Sequence, residues 1–156
     1  RAENVMITDL VRNDLSRVAA PSSVQVEELC GIHSFRNVHQ MISTVSCTVR
    51  SDAAWADILM ATFPMGSMTG APKVRAMQLI DELESTNRGV YSGAMGYIDP
   101  EGNMDFNVVI RSLLYHKKKR YLSALVGGAI TSGSVPEKEY EECLLKADAL
   151  FNALKP

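Results

Sequence analysis

The spacing of apolar and polar positions divides the chain of 156 residues into helical and strand-like segments. Apolar residues that recur every three or four positions predict helices over 2–18, 53–63, 72–88 and 137–154. Alternating and β-branched runs predict strands over 24–32, 37–49, 89–99, 104–115 and 121–131. Adjacent antiparallel strands between long helices favour an α+β fold.

The same spacing predicts which helix faces are buried. In the first and third helices these positions are Val5, Met6, Leu10, Val18, Val74, Met77, Leu79 or Ile80, and Leu83. In the last helix they are Tyr140, Leu144, Ala147, Phe151 and Leu154. Asp52 is expected to cap the second helix, and Pro72 to occupy the first position of the third.

Residues 63–77, "FPMGSMTGAPKVRAM", place glycines, hydroxyl residues and a proline directly before a predicted helix. Free backbone N–H groups and the helix dipole make such a junction a candidate anion site. The spacing of Gly66, Gly70 and Lys73 does not fit a nucleotide-binding P-loop, so a carboxylate fits better than a triphosphate. A plain helix start with a flexible loop is the alternative.

Glu139, Glu142 and Lys146 share one face of the last predicted helix because three and four residues separate them. Two carboxylates on one face can hold Mg²⁺ when substrate and water supply the other ligands. The alternative is an ordinary Glu142–Lys146 pair on a solvated face.

The predicted strands contain further candidates. Arg111 could clamp a carboxylate bidentately from a strand face, or it could simply face solvent. Tyr91 and Gly93 share a face of the preceding strand. Gly127 and Gly128 interrupt a third strand, which marks either a ligand that approaches the backbone or a bulge.

Composition excludes several classes of protein. Hydrophobic residues make up 46% of the chain and charged residues 22%, and the net charge of −2 provides no basic field for nucleic acid or lipid. The basic run "HKKKRY" at 116–121 is predicted to be a hairpin tip. No apolar run predicts a membrane span, and three cysteines without paired spacing predict a reducing, cytoplasmic compartment.

Six blocks along the chain resemble the chorismate-utilising enzymes, a family that includes anthranilate synthase and aminodeoxychorismate synthase component I and the isochorismate and salicylate synthases. In chain order the blocks are "AENVMITDLVRNDLSRV", "VHQMISTV", "FPMGSMTGAPKVRAMQLIDELE", "GVYSGAMGYID", "FNVVIRS" and "PEKEYEECLLKADAL". The resemblance implies part of this family's β-sandwich with flanking helices. It also implies that residues 1–156 are the C-terminal portion of one chorismate-binding domain whose N-terminal portion is absent.

The resemblance implies roles for particular residues. Glu3 and Glu142 would bind Mg²⁺ with help from Glu139, while Gln40 and Lys146 would be the catalytic residues. The residues implied to contact chorismate are Thr69, Gly70, Tyr91, Arg111, Gly127, Gly128 and Ala129. Two departures stand out: the family usually has a histidine where this chain has Gln40, beside His39, and an aspartate-rich loop where it has "TSGSVPE".

Within the family, "GSMTGAPK" and "MISTV" are more similar to the aminodeoxychorismate synthases than to the anthranilate synthases. This similarity implies amination of chorismate on the route to p-aminobenzoate and folate, with ammonia from a glutamine amidotransferase subunit or domain. Anthranilate formation is the alternative. A third possibility is a catalytically inert chain that associates with itself, because open sheet edges favour pairing.

Overall fold

The computed structural model describes residues 1–36 and 38–155, and the chain divides into two compact units. The N-terminal unit is Arg1–Asn87, and the C-terminal unit begins at Arg88. The helices are α1 (Ala2–Ser16), α2 (Trp55–Thr62), α3 (Gly66–Thr69), α4 (Lys73–Leu83) and α5 (Pro136–Ala153). The strands are β1 (Gln25–Ser34), β2 (His39–Ser46), β3 (Ala94–Ile98), β4 (Met104–Val108), β5 (Leu113–His116) and β6 (Tyr121–Ala124).

The predicted α+β class is confirmed. Among the described residues, consecutive strands pair as three antiparallel sheets of two strands each, β1 with β2, β3 with β4, and β5 with β6. The basic run forms the turn between β5 and β6, as predicted. Residue 37, the predicted start of the second strand, lies outside the described residues. No helix of the described chain is long and apolar enough to cross a membrane.

In the N-terminal unit, α1 packs against the β1–β2 hairpin, α2 and α3. The predicted buried face of this first helix is confirmed only in part: Val18, just after α1, is buried and Leu10 is half-buried, but Val5 and Met6 are 43% and 41% exposed. Thr8 and Asp14 are the buried residues within α1. Both buried polar groups are satisfied. The Thr8 hydroxyl donates to the Asn4 carbonyl at 2.7 Å, and Asp14 accepts from Lys73.

The glycine-rich stretch contains a short helix, α3, that the spacing did not predict. Pro72 is the N-cap of α4 rather than its first residue, and α4 ends at Leu83 with no buried side chain, so its predicted buried stripe is wrong. Asp52 does not cap α2; instead the carboxylate of Asp57 accepts the N–H of the N-cap, Ala54, at 2.8 Å.

In the C-terminal unit, the strand predicted over 104–115 is two strands separated by a turn at Arg111. Arg111 has a left-handed backbone with φ of +49°, and Ile110 N–H donates to Val108 O at 3.0 Å. This local hydrogen bond replaces cross-strand pairing, so Arg111 does not lie on a continuous strand face. The strands at the other candidates are shorter than predicted: β3 begins only at Ala94, so Tyr91 lies in the turn before it, and β6 ends at Ala124.

Helix α5 begins at Pro136, one residue earlier than predicted, so the proline lies in its first turn. Its predicted apolar stripe is only partly buried: Ala147 is buried, but Tyr140 and Phe151 are 66% and 55% exposed. The inward face instead includes Leu150 and the stem of Lys146, because the ammonium group reaches the backbone at Gly127. The charged side of α5 is therefore the side that contacts the rest of this unit.

Candidate functional site

The charged face of α5 meets the irregular segment that follows β6. The Lys146 ammonium donates to Glu142 Oε1 at 2.6 Å and to the Gly127 carbonyl at 3.0 Å. Lys146 therefore ties one turn of the helix to this segment while holding a carboxylate beside it. The side chains of Lys146 and Glu142 are 30% and 52% exposed, so the group remains accessible to a ligand.

Gly128 leaves an open space at the centre of these charged groups. A Cβ at this position would lie 3.3 Å from Glu139 Oε2 and 3.9 Å from both Glu142 Oε1 and Lys146 Nζ. The two carboxylates and the ammonium thus converge on the same point of the backbone. The absence of a side chain there keeps that point free.

Tyr91 adds a hydroxyl to the same cluster. A Cβ at Gly127 would lie 3.0 Å from the Tyr91 hydroxyl oxygen. The turn that carries Tyr91 is fixed to β4, since Ser92 N–H donates to Val109 O at 3.0 Å and Val109 N–H donates to Gly93 O at 2.9 Å. Six residues that separate motifs predicted are therefore close together within the C-terminal unit: Tyr91, Gly127, Gly128, Glu139, Glu142 and Lys146.

This cluster fits a magnesium ion in part. Two carboxylates around an open space supply the oxygen ligands that Mg²⁺ prefers, and substrate or water can complete its shell. Within residues 1–36 and 38–155, no group of three or more His, Cys, Asp or Glu side chains could hold a metal. Glu3, the third predicted ligand, is an exposed residue in the first turn of α1 in the N-terminal unit.

The remaining predicted residues are placed as follows. Arg111 is exposed at its left-handed turn, and Ala129 is exposed directly after Gly128. Gln40 is exposed on β2 and is paired with His33 of β1. The contact between His33 and Glu28 was not predicted, because it depends on an irregular hairpin register with no recognisable sequence signal.

The lysine of the glycine-rich turn already has an anionic partner within the protein. Lys73 forms an ion pair with Asp14 of α1, with side chains only 14% and 5% exposed. Gly66 brings α3 against α1, since a Cβ there would lie 3.0 Å from Leu10 Cβ. Lys73 thus holds this turn against α1. Thr69 and Gly70 lie at the end of α3, before Lys73.

Gly70 is required by the backbone of this turn, because its φ is +134°. The Thr69 hydroxyl donates to the Met65 carbonyl at 3.2 Å, inside the turn. Helix α4 then begins without a side-chain cap, so the predicted anion site at its start keeps its backbone donors.

The sequence matches the family of chorismate binding enzymes over residues 1–152. The chain belongs to this family. Its similarity to individual members extends over almost its whole length, which agrees with the order of the six blocks.

Two curated relatives illustrate the range of the family. The chain is 48% identical over 149 residues to a probable aminodeoxychorismate synthase, chloroplastic, of Oryza sativa subsp. japonica, covering 96% of this chain and 16% of that protein. It is 46% identical over 155 residues to anthranilate synthase component 1 of Aquifex aeolicus, covering 99% of this chain and 31% of that protein. The chain therefore spans less than a third of either relative.

A solved structure confirms the fold. The crystal structure of anthranilate synthase component I from Streptococcus pneumoniae TIGR4 superposes with a TM-score of 0.81 at 38% identity. The match covers 94% of this chain and 33% of that one.

Proposed function

We propose that this chain forms the chorismate- and magnesium-binding part of aminodeoxychorismate synthase component I. The reaction is amination of chorismate to 4-amino-4-deoxychorismate for p-aminobenzoate and folate synthesis. The observation that carries the proposal is the convergence of Glu139, Glu142 and Lys146 on the open space at Gly128, beside the Tyr91 hydroxyl.

Chorismate is a dicarboxylate, and the cluster offers matching groups. Glu139 and Glu142 would hold Mg²⁺, which would neutralise the ring carboxylate and polarise the ring as a Lewis acid. The role of Glu3 as a magnesium ligand stays a prediction from the family resemblance. The Tyr91 hydroxyl can donate to a carboxylate of the substrate, and the bare backbone at Gly127 and Gly128 allows close approach.

Arg111 supplies a further anion contact in this proposal. The guanidinium of Arg111 is exposed and suited to a bidentate contact with the second carboxylate. Contact of Thr69 and Gly70 with chorismate stays a prediction from the family resemblance. Lys146 would balance the charge of the carboxylates around the bound substrate.

The aminodeoxychorismate branch is favoured by "GSMTGAPK" and "MISTV", and by the name of the rice relative. The Aquifex relative, of similar identity, keeps anthranilate synthesis as the second candidate. Ammonia would come from a glutamine amidotransferase subunit or domain, as the resemblance to the aminodeoxychorismate synthases implies.

The deciding experiment incubates the complete natural chain with chorismate, Mg²⁺ and ammonium, and separates the products by chromatography. We expect 4-amino-4-deoxychorismate, and we expect glutamine to replace ammonium only when an amidotransferase is added. Anthranilate as the product would establish the second candidate. Recovery of unchanged chorismate would contradict both and favour an inert chain.

A further inference from the structure

The turn that carries Tyr91 contains a residue with a strained backbone. Ser92, which follows the tyrosine directly, has a left-handed conformation with φ of +68°. A residue other than glycine seldom adopts this conformation, and keeps it only where its surroundings hold it there. Ser92 is also buried, with 8% of its surface exposed, so its hydroxyl needs a hydrogen-bond partner within the protein.

Arg88, at the start of the same turn, supplies this partner. Its Nη1 atom donates to the Ser92 hydroxyl oxygen at 3.1 Å. The backbone of the turn is closed as well, since Tyr91 N–H donates to Arg88 O at 3.1 Å. Gly93 N–H donates to Val90 O at 3.0 Å. The contact between the side chains of Arg88 and Ser92 therefore joins the two ends of a segment that contains Tyr91.

Ser92 has a second attachment through its backbone, because its N–H donates to Val109 O at 3.0 Å. Val109 directly follows β4 and is buried. Loss of the serine hydroxyl would leave this backbone bond in place and release only the link to Arg88. The expected consequence is a looser turn in a unit that remains folded.

The position of the Tyr91 hydroxyl depends on this turn. The hydroxyl oxygen lies 3.0 Å from the point where a Cβ would stand at Gly127. It is at the end of a long side chain, so a small rotation of the backbone that carries it moves it away from this point. Groups that bind a substrate lose much of their effect when they are displaced by about 1 Å, and supporting residues prevent this displacement.

We propose that Arg88 and Ser92 are positioning residues for chorismate binding. Their contact holds the turn in its strained conformation, so that the Tyr91 hydroxyl stays beside Gly127 and donates to a carboxylate of the substrate. Glycine would adopt the same φ without strain, so the serine is needed for its hydroxyl. This inference rests on the proposed function and deepens it, since neither residue belongs to the site predicted from the sequence.

The test is a double-mutant cycle on the complete natural chain, with chorismate binding measured by calorimetry in the presence of Mg²⁺. Tyr91→Phe weakens binding about tenfold, as expected for loss of a hydrogen bond to a charged group. Ser92→Ala and Arg88→Ala each weaken it about fivefold, because the tyrosine hydroxyl is displaced rather than removed. In the Tyr91→Phe background neither change weakens binding further, because both act through the hydroxyl that is already absent.

Ser22→Ala is the matched control. Ser22 also has a left-handed backbone, with φ of +61°, but it is exposed and its hydroxyl has no hydrogen bond within the described residues. This variant binds chorismate like the wild type. Thermal unfolding is followed for every variant, and Ser92→Gly, which relieves the strain, replaces Ser92→Ala under the same criteria if the alanine variant does not fold.

Equal losses of affinity from Ser92→Ala with and without the Tyr91 hydroxyl overturn this inference alone, because the serine then does not act through the tyrosine. Wild-type affinity in folded Tyr91→Phe or Ser92→Ala also overturns it. A wild type that binds chorismate but yields no aminated product overturns the proposed function, while a non-additive cycle in that protein still supports the positioning role. A wild type that does not bind chorismate overturns both.

Discussion

Two lysine–carboxylate pairs, one in each unit, differ in nearly every physical respect. Lys73 and Asp14 are 59 residues apart in the chain, join α4 to α1, and are almost fully buried. Lys146 and Glu142 are one turn apart on α5, and more than half of the Glu142 side chain is exposed. The first pair is enclosed by its surroundings, and the second is open to a ligand.

The difference agrees with a structural role for the first pair and with the proposed binding role for the second. A buried pair is costly to break, because the remaining charge cannot be solvated. An exposed pair one turn apart contributes little to stability, so its charges can be redirected to a ligand at small cost. The second carboxylate, Glu139, and the open space at Gly128 lie only beside the exposed pair.

Breaking the buried pair is expected to have the largest effect on stability. Asp14→Asn leaves the Lys73 ammonium unpaired and lowers the free energy of unfolding by about 3–5 kcal/mol. The matched control is Asp9→Asn on the same helix, where the 2.9 Å contact with Arg12 is exposed. That change is expected to cost about 0.5 kcal/mol or less.

Urea-induced unfolding measures both variants. Equal losses for Asp14→Asn and Asp9→Asn would show that burial does not distinguish the two ion pairs. Burial would then not explain a difference in stability between the ion pairs of the two units.

Filling the space at Gly128 is expected to have a smaller effect on stability and a larger one on binding. Gly128→Ala places a methyl group against Glu139, and overpacking of this kind weakens Mg²⁺-dependent chorismate binding about tenfold. The free energy of unfolding changes by about 1 kcal/mol or less. Binding is measured by calorimetry in the complete natural chain.

Gly133→Ala is the control, because a Cβ there has no neighbour within 4 Å. Equal affinities for the two variants would indicate that the space at Gly128 is not part of the site.

The sequence predicted some features well because they depend on local chemistry. Pro136 and the spacing of Glu139, Glu142 and Lys146 placed α5 and its charged face correctly. Burial was predicted poorly, since periodicity shows which residues share a face but not which face is packed. On α5, contact of Lys146 with the Gly127 carbonyl determines the outcome.

Features that depend on distant parts of the chain had no sequence signal. The partner of Lys73 is Asp14, and apolar periodicity gives no reason to pair them. The contact between Glu28 and His33 requires a register shift and a glycine beneath the carboxylate, so only the structure revealed it. Arg111 was placed on a strand because its neighbours favour strands, whereas a turn with positive φ interrupts them.

The most direct test of the proposed magnesium and chorismate site is calorimetric titration of chorismate into the complete natural chain and its Glu142→Gln variant, with and without Mg²⁺. We expect wild-type binding to require Mg²⁺ and Glu142→Gln to abolish it. Unfolding free energy should change by about 0.5 kcal/mol or less, as for an exposed side chain. Glu141→Gln, an exposed neighbour on α5, should bind like the wild type. Intact Mg²⁺-dependent binding in Glu142→Gln would contradict the assignment of Glu142 as a magnesium ligand.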